Sequence, residues 1–323
     1  MADALVSSVV KLHSSTTCLF LVTCWGLATS AYYFGDPILC VSRYDGSVIE
    51  DDLEEMCITY SFNTSSLQST KYFPLHYKWM HWIFLMLALI YKLPGFFQKY
   101  IMFEPFLEDT LESIARLPVD FDLQAAQLKL SLGYWLHNYG RHGDHLARKI
   151  YLLFISMFSN CLGFFVMNLS LQGHYYAKLV TYWPFNRDYR TFRDPLSSVF
   201  PPFTDCELTP KMQLWLGRTE RAGCHLPLME AYEKTVLIFF VWQMILLIIT
   251  CVEIVRLICC DRIMSLRLRM LCPGTYMKSP LIQKYANVKS GEIYALSLFR
   301  NLLTKPQLRC LLYAIARDYF HEH

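Results

Sequence analysis

Four cysteines are set apart by where they fall. Cys40 and Cys57 lie in one polar stretch, and Cys206 and Cys224 in another. Of the other eight, Cys18, Cys24, Cys161 and Cys251 sit in apolar runs, and Cys259, Cys260, Cys272 and Cys310 follow the last run. Thiols in oxidising space form disulfides, whereas a cysteine inside an apolar run acts as a small hydrophobe. Four cysteines admit three pairings. Two of these link the stretches, and the third keeps both bonds within them. The adjacent Cys259 and Cys260, just past an apolar run, fit the pattern for palmitoylation, with unmodified thiols as the alternative. Asn63-Thr64-Ser65 is an N-glycosylation sequon, and the second match, Asn168-Leu169-Ser170, falls inside an apolar run. His137, His142 and His145 cluster with Asp144, but their spacing fits no zinc pattern and reads as a solvated helix end. The chain has no Gly-rich phosphate loop, no GxSxG, no HExxH and no zinc-type CxxC. No metal, cofactor or catalytic pair is expected. A net charge of +3 gives no footprint for nucleic acid.

These residues are positioned by four long apolar elements. The 323 residues are 54% hydrophobic, 15% aromatic and 18% charged, with a mean hydropathy of +0.25. That is more apolar and less charged than a soluble domain. Four runs reach the length of about 20 residues needed to cross a bilayer: Thr17 to Phe34, Trp79 to Phe97, Ile150 to Leu171 and Thr235 to Val255. The first also fits a signal peptide, with Lys11 as the basic flank and Ala28-Thr29-Ser30 as the cleavage site. Lys92, near the end of the second, is placed to snorkel to the headgroups. Pro94 breaks the hydrogen-bond ladder there, either kinking the helix at a gate or ending it at Pro94-Gly95. In the third run, Ser156, Ser159, Asn160, Gly163 and Met167 share one helical face suited to close packing, within one subunit or between subunits. Glu253 stands three residues before Arg256 and is expected to pair with it.

Four spans put both termini on one side. The first loop carries three Lys/Arg against seven Asp/Glu, and the second carries six Lys/Arg. Arg256, Arg262, Arg267 and Arg269 follow the fourth span. This favours cytoplasmic termini. The third loop carries eight Lys/Arg, but at about 60 residues it is at the length where the rule loses force. The first and third loops share the four cysteines and the middle loop has none, which places those two loops outside. The sequon at Asn63 agrees.

Several motifs resemble the innexins, a family of invertebrate gap-junction channels. "YYFGDPILC" is similar to the end of their first span. "HYKWM" resembles YYQWV at the start of the second span, matching at Tyr77 and Trp79. "LPGFFQK" resembles the proline-bearing end of that span, and "VFPPFTDC" resembles VFPKVTKC. "GCHLPLMEAYEK" resembles the lead-in to the fourth span, and "GEIYALSLFRNLL" is a weaker echo of a cytoplasmic segment. Two cysteines per outer loop fit this family, whereas connexins have three.

The resemblance implies an all-α membrane protein with four transmembrane helices, two disulfide-linked extracellular loops and helical cytoplasmic regions. The segments are then 1–16 cytoplasmic, 17–34 first span, 35–78 extracellular, 79–97 second span, 98–149 cytoplasmic, 150–171 third span, 172–234 extracellular, 235–255 fourth span and 256–323 cytoplasmic. It also implies that the first span is retained rather than cleaved. The implied function is a subunit of a gap junction or hemichannel in the plasma membrane, in an octameric ring of like or mixed subunits that passes ions and small metabolites. Implied pairings are Cys40–Cys224 and Cys57–Cys206, a rigid cap for docking to a channel of the adjacent cell. A glycan on Asn63 would obstruct that docking. Met1 to Val10, with Met1, Ala2 and Asp3 at the tip, and the turn from Phe34 to Cys40 with Asp36, are implied to line the pore entrance. Asp36 as a mere turn cap is the competing reading. The chain departs from the family in having ten residues before Lys11 and a short first outer loop. That motivates an alternative function, a four-span structural or adhesion protein without conduction. A membrane enzyme ranks third.

Overall fold

The computed structural model describes residues 8–36, 38–42, 57, 75–101, 129–130, 132–134, 137–138, 142–171, 176, 179–180, 196–197, 199–207, 221–271, 285, 288–300, 303 and 305–320. Within these it is mainly helical. Helix α1 runs Ser8–Phe34, α2 Leu75–Ile101, α3 His142–Ser170 and α4 Pro227–Arg262. All four are long and apolar enough to cross a membrane. Strand β1 (Leu39–Ser42) follows α1, and β2 (Phe203–Glu207) and β3 (Arg221–His225) precede α4. Helices α5 (Met264–Leu271), α6 (Ser290–Arg300) and α7 (Lys305–Phe320) follow it. Hydropathy locates the apolar centre of a span, whereas backbone hydrogen bonding carries the helix on. So α4 starts eight residues before the apolar run, at Pro227, where a proline loses no ladder bond.

The chain forms two compact units, and each long helix contributes to both. One unit holds Met1–Ser15, Lys92–Ser159 and Leu246–His323. In it, Val9 and Val10 of α1 pack with Leu152 and Leu153 of α3 and with Ile254 and Leu257 of α4. A second core joins α6 and α7 through Ile293, Leu296, Leu311, Leu312 and Ile315. Tyr285 donates to the Leu312 carbonyl at 2.6 Å, and burial pushes its phenol and that of Tyr294 above the usual range. Glu253 pairs with Arg256 at 2.9 Å and with Lys149 of α3 at 3.2 Å. The Lys149 ammonium also lies 5.0 Å from the centre of the Tyr294 ring. Ser290, at the start of α6, donates to Asp261 at the end of α4.

Residues Leu12–Thr17 of α1 wind as a π-helical turn. It buries His13, Ser14 and Thr17. Nε2 of His13 meets the Thr250 hydroxyl at 2.9 Å, and Ser14 donates back to the Val10 carbonyl. Helix α2 passes through Pro94 without ending and runs to Ile101. The α carbon of Gly95 lies so near Ser14 that an added Cβ would stand 2.7 Å from the serine Cβ.

The other unit holds Thr16–Tyr91 and Asn160–Ile245. Its three strands form an antiparallel sheet in the order β1-β3-β2. Below the sheet, Phe20 of α1 stacks on Phe239 of α4, and the Trp242 indole donates to Thr17 at 2.8 Å. Tyr91 of α2 donates to Asn160 of α3 at 2.5 Å and accepts from Gln243 of α4 at 3.1 Å. Asn160 donates to the Gln243 carbonyl, and Tyr176 donates to the Gln243 side chain. Tyr91 fits because residue 163 is glycine: a Cβ there would lie 2.8 Å from its ring.

Candidate functional site

The sheet is built around the cysteines. Register sets Cys40 directly opposite Cys224 and Thr204 opposite Cys224 on the other side. Directly opposed residues of an antiparallel pair bring their Cβ atoms within bonding range of a disulfide. Cys40 and Cys224 are bonded with Cα atoms 4.1 Å apart, and Cys57 and Cys206 with Cα atoms 5.6 Å apart. Both bonds join the segment after α1 to the segment before α4. They adjoin one another, since the sulfurs of Cys40, Cys57 and Cys224 lie within 4.8 Å. All four cysteines are buried. These thiols are consumed in disulfides, so the one grouping of metal-ligand atoms among the described residues is not a metal site.

The opening turn depends on a glycine. Helix α1 ends at Phe34, and Gly35 follows in an extended conformation. A Cβ on Gly35 would stand 2.7 Å from the Ala31 carbonyl oxygen, a backbone atom that cannot step aside. The chain thus leaves the helix sharply and enters β1 with Cys40 already facing inward.

The four long helices differ in what they leave uncovered. On α4 the exposed positions are bulky and aliphatic, including Ile238, Val241, Ile248, Val252 and Val255. On α3 they include Tyr151, Phe154, Phe158, Phe165 and Leu169, with Cys161 between them, and on α2 they include Trp79, Met86, Leu89 and Phe96. On α1 the uncovered stripe is Thr16, Leu19, Thr23, Gly26 and Ser30, flanked by Val22 and Leu27. Its spacing of three and four keeps these residues on one face. Four of the five are small or carry a hydroxyl. Thr23 donates to the Leu19 carbonyl at 2.9 Å. Bulky apolar surface suits lipid, whereas a stripe of hydroxyls and glycine suits water or a closely packed neighbour.

Among the other residues singled out by sequence, Phe34 is 90% exposed and Asp36 is exposed beside it. Met1, Ala2, Asp3 and Asn63 lie outside the described residues. Pro94 stands inside α2 rather than at its end. Cys259 is half-buried and Cys260 buried, so a lipid chain reaches the first more readily. Ser156, Ser159, Asn160, Gly163 and Met167 are all buried within the chain, the internal one of the two packings that their spacing allowed. The histidines do not form one solvated end: His137 is exposed, but His145 is buried. Position 145 is within α3, where helical period turns it inward. The α1 stripe was missed in sequence because the first run is apolar all round. Its signal was the seven-residue repeat of hydroxyls at Thr16, Thr23 and Ser30.

Comparison with known proteins gives the same picture. The chain is 26% identical to "Innexin shaking-B" of Drosophila melanogaster over 281 residues, covering 77% of this chain and 72% of the relative. It is 20% identical to "Innexin inx4" of the same organism over 258 residues, covering 73% and 70%. The Innexin family model matches residues 7–319, nearly the whole length. With the helices and inter-loop disulfides in the order the sequence motifs implied, the chain belongs to the innexin family.

Proposed function

We propose that the protein acts without catalysis, as one subunit of an octameric ring whose lumen is lined by the exposed stripe of α1. As an innexin it is a plasma-membrane subunit of an oligomeric gap junction or hemichannel. The termini lie in the cytoplasm and the disulfide-bonded sheet lies outside. Four helices of a single subunit leave no room for a wide pore between them. A ring of subunits does, with every backbone group still satisfied inside its own helix. The observation that carries the reading is the contrast of exposed faces: Thr16, Thr23, Gly26 and Ser30 interrupt the leucines on α1, whereas bulky aliphatic and aromatic side chains predominate on α2, α3 and α4. Turning α1 to the lumen hides its hydroxyls from lipid and gives ions a polar wall. Phe34 and Asp36 then stand at the outer mouth, with Met1, Ala2 and Asp3 at the inner one. The ring is homomeric or includes other innexins, and the stapled sheet is the surface presented to a channel of the adjacent cell. The test is dye uptake by cells expressing the protein, paired with single-particle images of the purified oligomer. Dye entry with rings of eight supports the reading. Confirmed surface delivery without dye passage or current contradicts it.

A further inference from the structure

His81 stands six residues into α2 and is 2% exposed. Its ring stacks on Tyr32 at 5.5 Å, meets the edge of Tyr33 at 5.9 Å and lies 5.4 Å from Trp82. Among the described residues neither of its nitrogens has a hydrogen-bond partner. Among the described residues the ionisable groups around it are phenols. Tyr32 and Tyr33 come from α1, and Tyr77 lies one turn earlier on α2 in contact with Tyr32. Tyr232 of α4 meets Tyr77 and Phe84 and is near enough to Tyr32 to interact with it. Lys78, on the same helix, is exposed, and Asp36 is exposed beyond the end of α1.

A neutral imidazole buried with donor and acceptor unpaired is costly, and among the described residues it is aromatic packing that holds this ring in place. We propose that His81 is a proton-operated latch that fastens the outer end of α1 to α2 when neutral and releases it on acidification. Protonation gives the ring two N–H donors and a charge. Among the described residues no carboxylate is placed to receive them. The faces of Tyr32 and Trp82 offset part of the charge, but both donors still need water. Tyr33, whose edge meets the His81 ring, is itself exposed and offers water a way in. Admitting water there moves Tyr32 and Tyr33 off α2. Those residues lead directly into Phe34, Gly35 and Asp36, so the movement is delivered to the pore mouth. Histidine is the side chain whose charge changes across the physiological range of pH.

The conduction part of this inference rests on the channel reading, and the latch itself does not. The purified full chain in lipid nanodiscs is titrated from pH 8 to 5 while tryptophan emission is followed. The Trp82 contribution is obtained as the difference from Trp82→Phe. The latch gives one reversible step in that contribution, absent from both His81→Phe and His81→Gln. In cells, dye uptake changes by at least about twofold over the same range and becomes flat in both variants. Persistence of the step or of the pH response in either variant overturns the proposal, as does a wild-type chain with no step. A fluorescence step without dye passage at any pH leaves the latch standing and removes the channel reading instead.

Discussion

Tyr91 shows what a single side chain does here. Its hydroxyl links Asn160 of α3 to Gln243 of α4, and its ring lies over Gly163. Tyr91→Phe removes one donor and leaves two amides short of a partner. The expected cost is about 0.5–1.5 kcal/mol, read as a lower melting temperature of the purified protein. Gly163→Val drives a side chain into the ring and is expected to cost about 1–3 kcal/mol. Combined with Tyr91→Ala, the valine should cost less than it does alone, because the clash is gone. Additive losses would show that the two do not meet. Spacing alone marked the face but not the contact. Ser159, Asn160, Gly163 and Met167 mark an interior stripe by their spacing, yet period says nothing about which helix lies opposite. The cysteines were more legible, because oxidising space and family together restrict their partners. Even so, elimination on the residues alone left three pairings open.

At the scale of elements, the turn between α1 and β1 joins span to staple. Gly35→Ala places a methyl against the Ala31 carbonyl, so either the last turn of α1 unwinds or β1 shifts. Cys40 and Cys224 are paired by register, and a shift of one residue would turn Cys40 to the other face. Gly35→Ala is therefore expected to leave free thiol at positions 40 and 224, detected by alkylation under non-reducing conditions. An unchanged disulfide pattern in surface protein would contradict that account. Cys57→Ser and Cys206→Ser remove a bond that sits beside the sheet ladder rather than within it. Each is expected to cost about 2–4 kcal/mol through the unfolded state. The double variant should cost no more than either single one, and an additive loss in unfolding experiments would count against the pairing. Four apolar runs announced four helices, since lipid demands length and hydrophobicity. Their extension was hidden, because polar turns beyond the bilayer look like loops. Pro94 was equally ambiguous in sequence: a proline marks a missing hydrogen bond but does not say whether packing carries the helix past it. Here α2 continues, and Gly95 lets Ser14 of α1 approach closely.

For the whole molecule, the question is which surfaces meet lipid, water and other subunits. Large aliphatic side chains on α4 and aromatic ones on α3 favour lipid contact, and the α1 stripe does not. Hydropathy alone did not reveal this, because threonine, serine and glycine are nearly neutral in hydropathy and leave the run apolar on average. Burial within the folded chain supplied the missing direction. The account therefore stands on α1 facing an aqueous lumen. The most direct test places single cysteines at Thr23, Gly26 and Ile248 and applies a membrane-impermeant, positively charged thiol reagent during dye passage or current recording. Wild-type channels, with Cys18 and Cys24 off the stripe, serve as the baseline. The account predicts block of Thr23→Cys and Gly26→Cys channels and no effect on Ile248→Cys. Block of Ile248→Cys with Thr23→Cys and Gly26→Cys untouched would contradict it.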